Sequence, residues 1–207
     1  MKKLISLLLF LSVSVPGFSQ NLDIDILKNI NLNRNENLDP SFQFISNTVT
    51  PISIATPVII LSVGLLEKNK ETTQKGLFIA ETLLVSTFIN TAFKYSVNRP
   101  RPYETYIFIE NVLDPDTPSF PSGHTSAAFA TATTLSLSYP KWYIIAPSFL
   151  WASTVGYSRM DLGVHYPSDV LVGAVVGAGS AYLCYFINKK VFHKKGDSLL
   201  RRKSNYP

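Results

Sequence analysis

The chain has 207 residues, 46% of them hydrophobic and 16% charged, with a formal net charge of +5. That length fits one domain, and the charged fraction lies below the roughly 25% of an ordinary soluble domain, a shift toward the membrane class. A single cysteine, Cys184, excludes an internal disulfide, and three histidines beside it offer no metal-ligand spacing.

Residues 1–19 have the make-up of a secretory signal peptide or a signal-anchor helix. Lys2 and Lys3 precede an apolar run over 4–15, and Gly17 and Ser19 are small residues at a cleavage position. Residues 20–41, rich in Asn and Asp, read as an exposed amino-terminal segment holding a short amphipathic helix. Residues 42–66 then carry no charge, where a membrane helix needs about 20 apolar residues. Pro51 and Pro57 within them are better tolerated in a membrane than in water. Residues 76–93 hold only Glu81 as a charge, 120–140 only His124, and 142–158 and 170–188 none.

Five apolar segments with weak strand alternation predict an all-α, helical-bundle integral membrane protein with about five transmembrane helices. The bundle spans 42–188 and a basic tail follows over 189–207. Small residues over 127–134 and 173–180 suit close helix packing. Cys184, beside Leu183 and Tyr185, reads as a packing residue, and Glu81 as a hydrogen-bonding partner inside the bundle. Lys68, Lys70 and Lys75 fall in one loop, and Lys189, Lys190, Lys194, Lys195, Arg201, Arg202 and Lys203 in the tail. If each segment crosses once, these basic stretches and the short Pro140–Lys141 turn share the cytoplasmic side, and the loops that carry 94–122 and 159–169 face outward.

Three short stretches then meet on the outward side: Lys94 to Pro102, Pro121-Ser122-Gly123-His124, and Ser158-Arg159 followed by His165-Tyr166-Pro167-Ser168-Asp169. Lys94, Arg101 and Arg159 are fixed positive charges, and guanidinium groups bind phosphate oxygens through paired hydrogen bonds. Ser122 and Gly123 open a helix, where free backbone N–H groups and the helix dipole favour an anion. His165 is placed to attack phosphorus if Asp169, four residues on, holds its other ring nitrogen. His124 is placed to protonate the leaving oxygen and then to activate water. Taken singly, each stretch reads equally as a satisfied polar residue or a headgroup anchor.

Taken together they resemble the type 2 phosphatidic acid phosphatase superfamily, whose pattern is Lys-x6-Arg-Pro, Pro-Ser-Gly-His and Ser-Arg-x5-His-x3-Asp. Every motif residue is present, from Lys94 through Arg101-Pro102 and His124 to Arg159, His165 and Asp169, and the resemblance covers residues 76–188. It implies a helical bundle and a metal-independent phosphomonoesterase or pyrophosphatase without cofactors. The first histidine would act as the acid and the second as the nucleophile, with Lys94, Arg101, Ser122, Gly123 and Arg159 binding phosphate.

The expected substrate is a lipid phosphate or pyrophosphate, hydrolysed at the outer face of a bacterial inner membrane. No nucleic acid or obligate protein partner is expected, and no nucleotide-binding fingerprint occurs. The same superfamily includes secreted soluble acid phosphatases and, among longer chains, vanadate-dependent haloperoxidases. A non-enzymatic membrane protein is the alternative from another class. Arg99 reads as a contact to a second phosphate or to a headgroup, and Asp161 as facing solvent rather than pairing with Arg159. Tyr103, Tyr106 and Phe108 read as an interfacial lip for a lipid tail or as ordinary loop packing.

Overall fold

A computed structural model describes the backbone of residues 17–203 and side chains between 22 and 190. Residues 1–16 of the expected signal segment and 204–207 of the tail lie outside the described residues. The helices are α1 (Gly17–Leu32), α2 (Asp39–Asn47), α3 (Val49–Leu66), α4 (Lys70–Val97), α5 (Pro102–Thr105), α6 (Gly123–Ser138), α7 (Trp142–Asp161) and α8 (Pro167–Lys203), with a 3-10 turn at Glu36–Leu38. Among the described residues there is no strand.

Local chemistry sets the helix ends that matter for the site. Asn69 caps α4 by accepting from the Glu71 and Thr72 N–H groups. Asn98 ends α4 in the left-handed region at φ 48°, a conformation that Asn tolerates better than other non-glycine residues. Pro100 and Pro102 then keep Arg99 and Arg101 out of helix. The apolar run 42–66 divides at Thr48 into α2 and α3, because Pro51 has no N–H to give to the Asn47 carbonyl.

Helix α6 is the centre of the bundle, packed by α3, α4, α7 and α8. Thr125, Ser126, Ala128 and the run from Ala130 to Thr134 are buried. Their small size lets neighbours approach: an added Cβ on Gly173 of α8 would lie 2.6 Å from the Ser122 carbonyl oxygen, and one on Gly177 only 2.2 Å from that of Ser126. Several hydroxyls on α6 find partners within the helix, as Thr134 does with Ala130, or across it, while those of Thr133 and Ser138 are buried without one. Ser53 meets Thr131 at 3.1 Å and Ser86 meets Ser126 at 2.7 Å.

The outer surface is apolar. Leu84 and Phe88 of α4, Leu150 of α7 and Leu171 and Val175 of α8 are all exposed, a belt that water disfavours and a bilayer accommodates. Three stretches, Glu36–Leu66, Lys70–Thr105 and Pro167–Lys190, are long and apolar enough to cross a membrane. Helix α6 has only 16 residues and abundant Thr and Ser. Shielded by its neighbours, it need not be apolar.

Lys75 lies over the Tyr139 ring at 4.6 Å, so the 67–70 turn and the 139–141 turn share the end of the bundle opposite Lys94 and His124. Glu81 bonds across the bundle to the Asn188 amide at 2.8 Å, and Cys184 is buried. Helix α1 lies against the site end. Asp23, Leu27 and Asn31, spaced at i, i+4 and i+8, are buried, while Leu22, Asp25, Ile26 and Asn29 are exposed. The segment expected to be exposed is so on one face only.

The close α6–α8 contact makes Gly177→Ala costly, by about 1–3 kcal/mol of overpacking. Gly179, whose added Cβ would touch nothing within 4 Å, should accept alanine with no loss and a gain of up to about 1 kcal/mol in helix propensity. Melting temperatures of the two variants in detergent should move in opposite directions from the parent.

Candidate active site

Helix ends and loops converge on a cavity of about 310 Å³ lined by Lys94, Arg101, Thr117, Gly123, His124, Arg159 and His165, with Asn47, Leu113, Asp114 and Pro115 completing its wall. Arg101 is buried and fixed by acceptors of the backbone and one side chain. Its Nε donates to the Thr117 carbonyl at 2.9 Å, Nη1 to the Val164 carbonyl at 2.7 Å and Nη2 to Thr117 Oγ1 at 3.3 Å. Of the five N–H donors a guanidinium carries, two stay free. Arg159 is buried, donates Nη1 to Ser46 Oγ at 2.5 Å, and leaves Nε without a partner. Lys94 donates one bond to the Pro118 carbonyl, which aims its ammonium group inward. Cations held this way need no reorganisation to meet an anion.

Gly123 and His124 form the first turn of α6 and line the cavity, so free N–H groups of a helix start face it. Ser122 stands behind them. Its Oγ accepts from Thr125 Oγ1 at 2.8 Å and its N–H donates to the Asp169 carbonyl at 3.0 Å. Expected as a phosphate ligand, it is fully buried and does not line the cavity; it caps α6 instead.

His165 follows the α7–α8 turn, where Gly163 at φ 72° supplies the left-handed residue. The N–H groups of Val164 and His165 both donate to the Arg159 carbonyl, tying the histidine to the end of α7. His165 Nδ1 lies 3.5 Å from Asp169 Oδ2 and 3.4 Å from Ser119 Oγ. These are long for hydrogen bonds. With Nδ1–H directed at the carboxylate, Nε2 keeps its lone pair. Burial first, and then Arg159 and Arg101, outweigh the opposing pull of Asp169 and push the imidazole down to about 3.

Asp169 has no exposed surface and does not touch the cavity. Its Oδ2 accepts from Ser119 Oγ at 2.5 Å and Tyr166 N at 3.0 Å, and its Oδ1 from Arg99 Nη1 at 2.7 Å. Arg99 does not line this cavity: it stacks on the Tyr166 ring at 3.6 Å and its Nη2 pairs with Asp23 at 2.7 Å. Asp161, expected to face solvent, is buried because Asn31 of α1 covers it, donating to its carbonyl at 3.0 Å. Tyr103 and Tyr106 pack with Leu27, Ile109 and Tyr166, and Tyr103 Oη donates to Asp114 at the cavity rim.

Sequence reasoning overlooks Ser119, Ser46, Asn31 and Asp23. The first two carry no local signal. The last two lie on the Asp23-Leu27-Asn31 stripe, whose helical spacing marks a face with something to bury.

The model of the PAP2 superfamily matches residues 75–192, and the chain belongs to that superfamily. It is a phosphatase, and its apolar belt makes it a membrane one. It is 30% identical to an undecaprenyl-diphosphatase of Sulfolobus acidocaldarius over 95% of this chain and 96% of that one. To a lipid A 1-phosphatase of Porphyromonas gingivalis it is 40% identical over 49% of this chain and 21% of that one. Among solved structures it is similar to the transmembrane PAP2 type phosphatidylglycerolphosphate phosphatase of Bacillus subtilis, with a TM-score of 0.73, 25% identity, and coverage of 92% of this chain and 98% of that one.

The depressed His165 has a consequence for stability. Unfolded, the imidazole takes a proton below pH ~6.5; folded, it stays neutral down to about 3. The unfolded state thus binds more protons in that window, and stability falls as pH drops through it, by up to about 2 kcal/mol at pH 5. Thermal melts at pH 7.5 and 5 should show a larger decrease in the parent than in His165→Asn.

Proposed function

We propose that this protein is a metal-independent lipid phosphatase that removes a phosphate or a pyrophosphate's terminal phosphoryl group through a phosphohistidine on His165. The observation that carries the reading is a pair of adjoining cavities. The cationic one holds His165, Lys94, Arg101 and Arg159. A second, of about 310 Å³, lies between α3, α4 and α6, is lined largely by Val49, Ile54, Leu83 and Ala127, and shares Gly123 and His124 with the first. A phosphoryl group in the cradle would place its leaving oxygen beside His124, with an apolar substituent continuing into the second cavity.

In the first step His165 Nε2 bonds to phosphorus as the phosphorus–oxygen bond breaks, and His124, whose proton is stabilised by the negative charge of the bound phosphate, gives that proton to the departing lipid oxygen. In the second, neutral His124 takes a proton from water as the water oxygen bonds to phosphorus, the phosphorus–nitrogen bond breaks, and phosphate leaves. Lys94, Arg101, Arg159 and the Gly123 and His124 N–H groups stabilise charge on the equatorial oxygens in both steps. Asp169 keeps Nδ1 protonated and stabilises the charge His165 gains.

The same reading has α3, α4, α6, α7 and α8 each crossing a bacterial inner membrane once, after a signal peptide or anchor at the amino end. Lys68, Lys70 and Lys75 mark the cytoplasmic side, and the cationic cavity opens outward. A secreted soluble phosphatase is disfavoured by the exposed Leu84, Phe88, Leu150 and Leu171.

Purified protein in detergent with excess chelator should release phosphate from at least one of undecaprenyl pyrophosphate, phosphatidylglycerophosphate, phosphatidic acid or lipid A, in preference to a water-soluble sugar phosphate. His165→Ala should lose about a thousandfold or more in kcat, as expected for a missing nucleophile. Equal rates for His165→Ala and the parent would refute the phosphohistidine, and preference for the soluble ester would refute the lipid substrate.

A further inference from the structure

We propose that Asp23 is a positioning residue for the reaction: it clamps Arg99 against Asp169 and so orients His165, making α1 a working part of the active site. The proposal rests on the reading of His165 as the nucleophile.

Asp23 is buried and its two oxygens meet three donors from two other segments. Oδ2 pairs with Arg99 Nη2 at 2.7 Å and accepts from Ser168 Oγ at 2.5 Å, while Oδ1 accepts the Ser168 N–H at 2.8 Å. The last bond satisfies one of the unpaired N–H groups at the start of α8, where a negative charge also complements the helix dipole. Arg99 spends Nη1 on Asp169 Oδ1 at 2.7 Å and Ser168 Oγ at 2.7 Å. The guanidinium is thus a planar bridge between two carboxylates, one on α1 and one on α8, lying flat on the Tyr166 ring at 3.6 Å.

The bridge has a direction. Asp169 Oδ2 faces His165 Nδ1 at 3.5 Å, and a carboxylate is flat, so fixing Oδ1 fixes the plane in which Oδ2 lies. Arg99 holds Oδ1. Without Asp23, nothing else among the described side chains pairs with the far nitrogen of Arg99 by an ion bridge, and the guanidinium, held at Nη1 alone, can pivot about that nitrogen on Tyr166. Asp23 is absent from the cavity wall formed by Lys94, Arg101, Arg159 and His165, so its influence reaches phosphate only indirectly, through Arg99 and Ser168 and then Asp169 and His165. Losing it should therefore slow the chemistry while leaving anion binding intact.

Asp23→Asn preserves the side chain's size and an acceptor for the Ser168 N–H but removes the charge facing Arg99. It should lower kcat about ten- to a hundredfold, the scale of a small misplacement of a reacting group. KM and the inhibition constant of inorganic phosphate should stay within about twofold of the parent. On an Arg99→Gln background the same substitution should cost less than about twofold, because the bridge is already gone. Leu27→Ala separates positioning from docking of α1: Leu27 is fully buried on the same face, so its truncation should lower the melting temperature while kcat is retained.

An unchanged kcat in Asp23→Asn overturns the proposal, as does an undiminished effect on the Arg99→Gln background, or a Leu27→Ala enzyme as slow as Asp23→Asn. If Asp23→Asn yields no folded protein, Arg99→Lys is read in its place. A lysine keeps the charge but cannot span both carboxylates, and full activity there overturns the proposal too. Parent and His165→Ala enzymes run alongside distinguish the two readings. A parent as slow as His165→Ala refutes the phosphatase mechanism itself, whereas an active parent with an equally active Asp23→Asn refutes only the role of Asp23.

Discussion

A carboxylate with no access to water must have its lone pairs met by protein donors, and meeting those of Asp169 organises the end of the bundle that holds the cationic cavity. Its side chain takes Arg99 from the end of α4, Ser119 from the loop before α6, and the Tyr166 N–H at the start of its own helix. Its backbone carbonyl takes the Ser122 N–H. One residue therefore sets the start of α8 against the start of α6 and the end of α4. His165 and His124 ride on the two helix starts, and Lys94 rides on the α4 end. The distance between His165 and His124 is a consequence of how Asp169 is satisfied.

That arrangement is possible only because the helices come close below it. Gly173 and Gly177 bring α8 onto the Ser122 and Ser126 carbonyls of α6, and α6 itself presents Ala, Thr and Ser on almost every side. A larger residue at either glycine would push α8 outward and move Asp169 away from Ser119 and Ser122. Small residues are also what a membrane bundle uses when lipid gives no hydrophobic reason for helices to associate. Packing and catalytic geometry thus draw on the same substitution pattern, which explains why α6 is polar enough to look unlike a membrane helix while sitting at the bundle's centre.

Much of this was legible in the residues. The all-helical bundle followed from charge-light segments: 120–140 and 142–158 end within three positions of α6 and α7, whereas 42–66 takes in α2 as well as α3, 76–93 lies inside α4, and 170–188 covers only the first part of α8. The cavity lining of Lys94, Arg101, Gly123, His124, Arg159 and His165 followed from three motifs. Other features were hidden for physical reasons. Ser122 looked like a ligand because a hydroxyl at a helix start can serve either the helix or an anion, and only the fold shows that Thr125 takes it. Asp161 looked solvated because burial by a segment 130 positions away leaves no trace in its neighbours. Arg99 looked like a spare cation beside Arg101, since nothing local says which of two arginines around Pro100 turns inward to the cavity and which turns back to Asp169. Asp23 sat in a stretch whose Asn and Asp content resembles a solvated linker, and its i, i+4, i+8 stripe with Leu27 and Asn31 was the one sign to the contrary.

The division between what motifs can and cannot carry is itself structural. Phosphate has one shape and one sign of charge, so a cradle for it needs particular donors at particular positions, and those are readable as Lys, Arg, Gly and His at fixed spacings. The cavity beside it, between α3, α4 and α6, is bounded mainly by Val49, Ile54, Leu83 and Ala127 with Thr50, Ser53 and Thr87 among them. Apolar walls discriminate weakly, at about 1–3 kcal/mol per methylene, and one aliphatic residue replaces another there with little change in chemistry. Selection between lipids must then come from the width and depth of that cavity, set by backbone spacing, and from the polar hydroxyls within it. His124 stands at the junction of both cavities, so under the proposed mechanism the residue that would protonate the leaving oxygen is also where the shape of the leaving group is first felt. Substrate choice and acid catalysis would then meet at one side chain, and a lipid that fits the apolar cavity poorly would be misaligned with His124 even when its phosphate is well held.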